Sequence, residues 1–264
     1  MCIRDRCKND VDLGQIQNLN GNKVTALGHA GMGIASLFPI NSFESISNAI
    51  HLGTAGVEVD VQMTKDSVLV LFHDRTLQEM TNLEGMIYEH DWDEIQDATY
   101  KDPLFTSYSI VTLEQLFENL ENVNDFYFSL DMKLFEPNHP DSLISTYLNA
   151  LTEIIDRYDL VDNVYIESSK REYLEKFKTQ RPDLQLLAFT TFEQSINWAN
   201  ELDLFGLIIK NDQITKTQIQ QAHDEGFRVS VFGLLTKNDN IDAIEKNADF
   251  LQTDKVNHLI KILE

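Results

Sequence analysis

Gly56-Val57-Glu58-Val59-Asp60-Val61-Gln62-Met63-Thr64-Lys65-Asp66-Ser67-Val68-Leu69-Val70-Leu71-Phe72-His73-Asp74 is the stretch that decides the fold of this chain. Two apolar, β-branched runs, 57–61 and 68–72, are separated by a polar turn and carry embedded Glu, Asp and His. The strict alternation of Val with a carboxylate is a strand pattern, and it puts Glu58 and Asp60 on one side of that strand. Two adjacent acids repel each other, and each resists ionisation if buried. Solvent, a cationic side chain or a divalent cation resolves the conflict, and hard cations such as Ca²⁺ and Mg²⁺ favour such oxygen donors. Taken alone, a Glu-x-Asp pair reads more often as a solvent-facing edge strand.

The pair does not stand alone. Upstream lie Leu27-Gly28-His29-Ala30-Gly31 and Pro39-Ile40-Asn41-Ser42; downstream lie His73-Asp74 and Leu130-Asp131-Met132-Lys133. In order and spacing these segments resemble the glycerophosphodiester phosphodiesterase family. Its pattern runs His-Arg-Gly, Pro-Glu-Asn-Thr, Glu-x-Asp-Val-x-x-Thr-x-Asp-Gly, His-Asp and a later Glu-x-Lys. The resemblance covers residues 24 to 133 and weakens toward the end. It implies an (β/α)8 TIM barrel, a metal-dependent phosphodiester hydrolase, and a pair of histidines, His29 and His73, as acid and base.

Size and charge set bounds on the whole. At 264 residues the chain suffices for one large core, and α/β barrels of this length are usually single domains. Lys plus Arg number 21 against 43 Asp plus Glu, a net charge of −22. Such a surface repels nucleic acid and anionic membranes, so no nucleic-acid partner is expected. No apolar run approaches the ~20 residues of a membrane span.

Both cysteines, Cys2 and Cys7, lie in residues 1–22, which read as a disordered tail preceding a domain over 23–264. Met1 to Arg6 contain no apolar signal core. Cys7 and the polar residues after it resemble the start of a mature bacterial lipoprotein, although the residues before Cys7 form no lipobox. This reading predicts a lipid anchor at Cys7, with 8–22 as tether, in the cell envelope or periplasm; the alternative is a cytoplasmic terminus.

Along the domain, a strand over 24–28 ends at His29, and Asn41 or Ser42 caps a helix over 43–52. The link between 57–61 and 68–72 is too short for a helical crossover and predicts a local hairpin. Residues 75–110 read as an irregular insertion after the His73-Asp74 loop. From Thr112 the alternation is regular: helix to 121, strand 126–131, helix 141–157, strand 163–167, helix 170–180 and strand 184–189. Helix 192–201, strand 205–209, helix 215–225, strand 227–232, helix 238–246 and strand 249–252 follow. This alternation predicts a parallel sheet with helices outside. Nine strand candidates are one more than a closed eightfold barrel needs, and the 68–72 run is the one placed outside the ring. An open doubly wound sheet is disfavoured because no Gly-rich phosphate loop follows the first strand.

A barrel collects its site at the C-terminal ends of the strands. His29, Glu58, Asp60, Asp131 and Lys133 fall there, as do Ser168-Ser169, Lys210 and Thr253-Asp254. Phosphodiester cleavage needs what these groups offer. One divalent cation, Ca²⁺ or Mg²⁺, held by Glu58, Asp60 and Asp131 neutralises charge on phosphorus oxygens, with Lys133 as a second positive group. Histidines titrating near neutrality suit proton transfer, so His29, His73 and Lys133 are the expected catalytic groups, the division into acid and base being left open. Asn41, Lys133 and Lys210 are expected at the substrate, a small-molecule or lipid-derived phosphodiester.

Three positions depart from the family pattern. Ala30 stands where the family has a phosphate-contacting Arg, which a methyl group cannot replace. Ile40 stands where the family has Glu, and Asp131 where it has the last metal-binding Glu. Lys210 is one candidate to supply the missing charge. The expected activity is hydrolysis of glycerophosphodiesters to glycerol 3-phosphate and an alcohol. The alternatives are the same site acting on lysophospholipid or sphingomyelin-type lipids, and a catalytically silent phosphodiester-binding barrel.

Overall fold

The structure is a computed structural model and describes residues 24–102 and 108–263. The expectations about the tail, including the Cys7 anchor, fall outside the described residues. Eight parallel strands close into a ring: β1 (Thr25–His29), β2 (Gly56–Met63), β4 (Tyr127–Met132), β5 (Val164–Ser168), β6 (Gln185–Phe189), β7 (Gly206–Lys210), β8 (Arg228–Leu234) and β9 (Phe250–Thr253). Pairing of β1 with both β2 and β9 shuts the barrel. The ninth strand, β3 (Leu69–Leu71), runs antiparallel to β2 outside the ring, as the short link before it dictates.

Helix α1 (Phe43–His51) follows β1, and Ser42 caps it by accepting a hydrogen bond from the Ser45 amide at 3.1 Å. After β3 comes the insertion, with the short helices α2 (Leu77–Met80) and α3 (Trp92–Ile95). It has an apolar centre of its own: Val70, Phe72, Leu77, Ile87, Ile95, Ala98 and Ile110. The outer ring is α4 (Leu113–Asn119), α5 (Asp141–Arg157), α6 (Arg171–Gln180), α7 (Phe192–Leu202), α8 (Lys216–Asp224), α9 (Lys237–Lys246) and α10 (Val256–Leu263). The sequence reading stops at the last strand and omits α10 (Val256–Leu263).

The alternation in β2 works as its sequence predicts. Val57, Val59 and Val61 face outward into the main core with Ile46 and Ala49 of α1. Glu58, Asp60 and Gln62 therefore point into the barrel. The barrel floor is apolar, filled by Leu27, Tyr165, Leu187, Ile208 and Phe250. Above it sits a polar layer in which Glu167 accepts hydrogen bonds from the Ser129 hydroxyl and from Gln252, the latter at 2.5 Å. The floor excludes water from below, so chemistry is confined to the upper end.

Candidate active site

Register places the site. His29 lies beside Glu58 across the β1–β2 pair, and Asp60 lies beside Asp131 across β2–β4. Ligand oxygens of Glu58, Asp60 and Asp131 all lie within 4.8 Å of one another, and all three residues are buried. Lys133 reaches over this trio, its Nζ 2.5 Å from Asp131 and 3.2 Å from Asp60. His29 turns Nε2 toward Glu58 at 3.8 Å, while its Nδ1 meets the Asp254 carboxylate at 3.0 Å.

Two residues with left-handed backbones sharpen the arrangement. Ala30 has φ 47° and aims its amide at Glu58 Oε2, 2.9 Å away. Asn41 has φ 61°; its Nδ2 donates to Asp60 Oδ2 at 2.8 Å and its Oδ1 accepts from the Asp60 amide at 3.0 Å. Non-glycine residues in this region cost about 1–3 kcal/mol each, which the surrounding contacts must outweigh. Asn41, expected at the substrate, is thus committed to orienting Asp60. Gly33 is required for a different reason: a Cβ there would lie 2.5 Å from Asp254 Cα.

Electrostatics follow from this crowding. Burial, then the neighbouring Asp60, pushes the Glu58 carboxyl well above the usual carboxylate range. Burial raises Asp131 as well, and the Lys133 ammonium offsets only part of the effect. Burial alone would lower His29, but the Asp254 hydrogen bond and the charges of Glu58, Asp254 and Asp60 push it up to about 9. Burial, then Asp131, lifts Glu167 to about 8. Every shift reports the same thing: surplus negative charge in a space shielded from water. A hard divalent cation matches that donor set of three carboxylates.

His73 is the more exposed histidine, its side chain 52 % accessible, with Nδ1 on Asp74 at 2.8 Å. Gln62, two residues beyond Asp60, holds its loop: Nε2 donates to the carbonyls of Phe72 at 2.7 Å and Asp74 at 2.8 Å. The loop is thereby fixed over the inward face of β2, and the His73 charge reaches Asp131. Lys210 ends β7 on the same face but pairs with Asp212 at 2.9 Å, not with the trio.

Two residues escaped the sequence reading in their roles. Asp254 was placed at a strand end, but its partnership with His29 spans 225 positions and leaves no local signal. Arg75 follows His73-Asp74 directly and is exposed. Arg157, Arg171, Arg181 and Arg228 all pair with carboxylates, whereas Arg75 forms no ion pair among the described residues. In a chain with 43 acidic residues an unpaired arginine beside a site histidine is a candidate for binding phosphate.

A sequence model of the glycerophosphoryl diester phosphodiesterase family matches residues 32–258. The chain belongs to that family. A glycerophosphodiester phosphodiesterase from Bacillus altitudinis is 26 % identical over 164 residues, 61 % of this chain and 65 % of that protein. One from Caldanaerobacter subterraneus is 31 % identical over 154 residues, 56 % of this chain and 60 % of that protein. The chain therefore matches somewhat under two thirds of the length of each. Among solved structures, an Oleispira antarctica phosphodiesterase in complex with the product sn-glycerol-3-phosphate superposes with a TM-score of 0.79 at 20 % identity, covering 90 % of this chain and 96 % of that one. A glycerophosphodiester phosphodiesterase from Parabacteroides distasonis gives 0.78 at 20 % identity, covering 94 % and 98 %. These likenesses show the fold of the family across the barrel described above.

Proposed function

We propose that the protein hydrolyses glycerophosphodiesters to glycerol 3-phosphate and an alcohol, using one divalent cation, Ca²⁺ or Mg²⁺. The observation that carries this reading is the buried Glu58-Asp60-Asp131 trio at the barrel mouth, with His29 against one member and Lys133 against the other two. Glu58, Asp60 and Asp131 would hold the cation, which would supply Lewis-acid stabilisation of charge on the phosphoryl oxygens.

The chain's own residues do the rest. Lys133 adds a fixed positive charge beside the trio, where the phosphodiester's anionic oxygens gather charge during displacement. His29 and His73 share proton transfer, one to the departing alkoxide and one from the attacking water or glycerol hydroxyl. Asp254 holds His29 by Nδ1, which leaves Nε2 toward the reaction and stabilises the imidazolium. Arg75 supplies the phosphate contact that Ala30 cannot, with Lys210 as the second candidate. Cys7, if lipidated, would tether the domain at a membrane surface.

Release of glycerol 3-phosphate from a panel of glycerophosphodiesters tests the proposal, in EDTA and then with added Ca²⁺ or Mg²⁺. Turnover restored by metal and abolished in Glu58→Gln and His29→Ala supports it. Calorimetry of metal binding to Glu58→Gln gives a readout independent of activity. Absence of turnover with every metal, alongside intact ligand binding in His29→Ala, would favour the silent barrel instead.

A further inference from the structure

The loop from β4 to α5 begins at Lys133 and reads Lys133-Leu134-Phe135-Glu136-Pro137-Asn138-His139-Pro140. Glu136 and His139 stand three residues apart on it, and the two prolines fix φ at positions 137 and 140. Neither side chain serves the catalytic mouth. The loop leaves the mouth for the outer ring of helices, where the His139 ring packs edge-on against Tyr173 of α6 with centroids 5.6 Å apart. Tyr173 itself belongs to the main core and is 2 % exposed.

Three polar atoms in this corner are shut away from water and have no hydrogen-bond partner: Glu136 Oε2, His139 Nε2 and Tyr173 Oη. Among the described residues the other buried side-chain atoms in that condition are Thr54 Oγ1 and Tyr100 Oη, so three of the five fall on one loop and the helix it touches. The three groups also act on one another. Burial raises the Glu136 carboxyl, while its own backbone and the His139 charge pull it back; burial, then Glu172 and Glu136, raises the Tyr173 phenol. A carboxylate, an imidazole and a phenol have the donors and acceptors to pair, yet no pair among them meets. Each unmet group costs about 1–3 kcal/mol, and an ion is one of the few explanations for such a set. Water is a poor one here, because these atoms offer essentially no surface to a sphere of its size. A divalent cation sits at ~2.0–2.2 Å from N and O ligands, closer than the ~2.8 Å of a hydrogen-bonded water, and needs less room.

The donor types select the ion. An imidazole nitrogen among oxygens suits a borderline cation such as Zn²⁺, whereas the all-carboxylate trio in the mouth suits a hard one. With Glu136 binding through both oxygens, the three side chains offer four donor atoms, the number a closed zinc site takes. A cavity of about 550 Å³, lined by Thr64, Tyr88, Glu136 and Asn138 among others, reaches the loop and gives an ion its entry. We propose that Glu136, His139 and Tyr173 bind a second divalent cation, of the zinc class, which clamps the loop after Lys133 onto α6. Any proton held on the three ligands leaves to solvent as the ion binds, and no electron is transferred. The clamp is structural: it fixes the segment that follows Lys133 and brings no group to the reaction. It stands independently of the hydrolase reading above.

The test uses the full chain carrying Cys2→Ser and Cys7→Ser, because thiolates compete for zinc, with excess Ca²⁺ to compete at the trio. Crystals grown with Zn²⁺ and measured at the zinc absorption edge should show an anomalous peak bounded by Glu136, His139 and Tyr173. In calorimetry with Zn²⁺, Glu136→Gln and His139→Ala should each weaken that site at least about tenfold, the least that losing even a residue supporting a metal ligand costs. Tyr173→Phe should weaken it less, the phenol being the weakest donor of the three. Zn²⁺ should raise the Tm of the parent and leave that of His139→Ala unchanged. Glu136→Gln and Tyr173→Phe preserve side-chain size, and far-UV circular dichroism without zinc should match the parent, which separates lost binding from lost folding. Zinc confined to Glu58, Asp60 and Asp131 overturns the proposal, as does undiminished zinc affinity in Glu136→Gln and His139→Ala. A direct hydrogen bond between Glu136 and His139, with no zinc peak at any concentration, overturns it in favour of a simple polar contact.

Discussion

Replacing Asp254 by Asn removes one charge and keeps the shape, so it isolates what the carboxylate does for His29. In the native site Oδ2 meets His29 Nδ1 at 3.0 Å and Oδ1 accepts the Ile34 amide at 2.7 Å. An amide has a single oxygen, and the Ile34 N–H, which can only donate, claims it. The Asn NH₂ then faces His29 Nδ1 and forces that nitrogen to accept, moving the imidazole proton to Nε2. Nε2 is the nitrogen turned toward Glu58 and the reaction, so His29 can no longer accept a proton there while neutral. A hydrogen bond to a charged group is worth about 1.5–3 kcal/mol, or roughly tenfold to a hundredfold in rate. The tautomer reversal carries the loss toward the ~10²–10⁴ of general acid–base catalysis. We therefore expect kcat for glycerol 3-phosphate release to fall at least about a hundredfold, with KM changed far less. Imidazole resonances of the metal-free protein should show His29 titrating well below its native value of about 9, because Asp254 supplies two of the causes that raise it. A variant with kcat within about threefold of native, and an unshifted His29 titration, would refute the reasoning.

Asn41→Ala takes a donor from Asp60 and an acceptor from its amide, and should weaken metal binding by about 10–100-fold by calorimetry without unfolding the barrel. Arg75→Ala should raise KM for glycerophosphodiesters roughly threefold to tenfold with little change in kcat, and Arg75→Lys should recover part of the loss. Glu167 governs stability against pH. Its folded value of about 8 lies above the unfolded 4.5, so the native state holds an extra proton between them. Its contribution is fully present below the unfolded value and is lost as pH rises through about 8, at up to ~1.4 kcal/mol per pH unit. Urea unfolding in EDTA should show stability falling over that window, and Glu167→Gln should flatten the slope.

The barrel was legible because its signal is periodic and local. Val alternating with carboxylate in β2 states which side of the strand is buried in core and which faces the barrel interior. The five-residue link 63–67 excludes a crossover and so places β3 outside the ring, antiparallel to β2. Glu58 and Asp60 were legible because they alternate on one strand, Asp131 through the resemblance of Leu130-Asp131-Met132-Lys133, and the register of β2 with β4 sets Asp131 beside Asp60. What stayed hidden were relations between distant residues. Asn41 looked like a helix cap or a substrate contact, but Ser42 caps α1 and the Asn41 side chain serves Asp60. Nothing near Asp254 announces His29, and nothing in Gln62 announces that it fastens the His73 loop. Pairings set by barrel closure leave no mark on spacing.

The charge balance of the mouth explains why these groups are kept together. Glu58, Asp60, Asp131 and Asp254 face Lys133 and a His29 whose surroundings favour the imidazolium. Four carboxylates against two cationic groups leave two negative charges, which one divalent cation cancels. Glu167, whose burial favours the neutral acid, adds nothing to that sum near neutral pH. Without the cation the surplus must be relieved by protons, as the upward shift of Glu58 shows. An anionic phosphodiester entering the metal-free mouth would meet repulsion where little water screens it. A bound divalent cation would leave a balanced site, with Lys133 held by Asp60 and Asp131 and His29 by Asp254 beside it. The carboxylates thus act together, and removing any one shifts both the affinity for metal and the proton held by its neighbours. For that reason Glu58→Gln should alter metal binding and the His29 titration together.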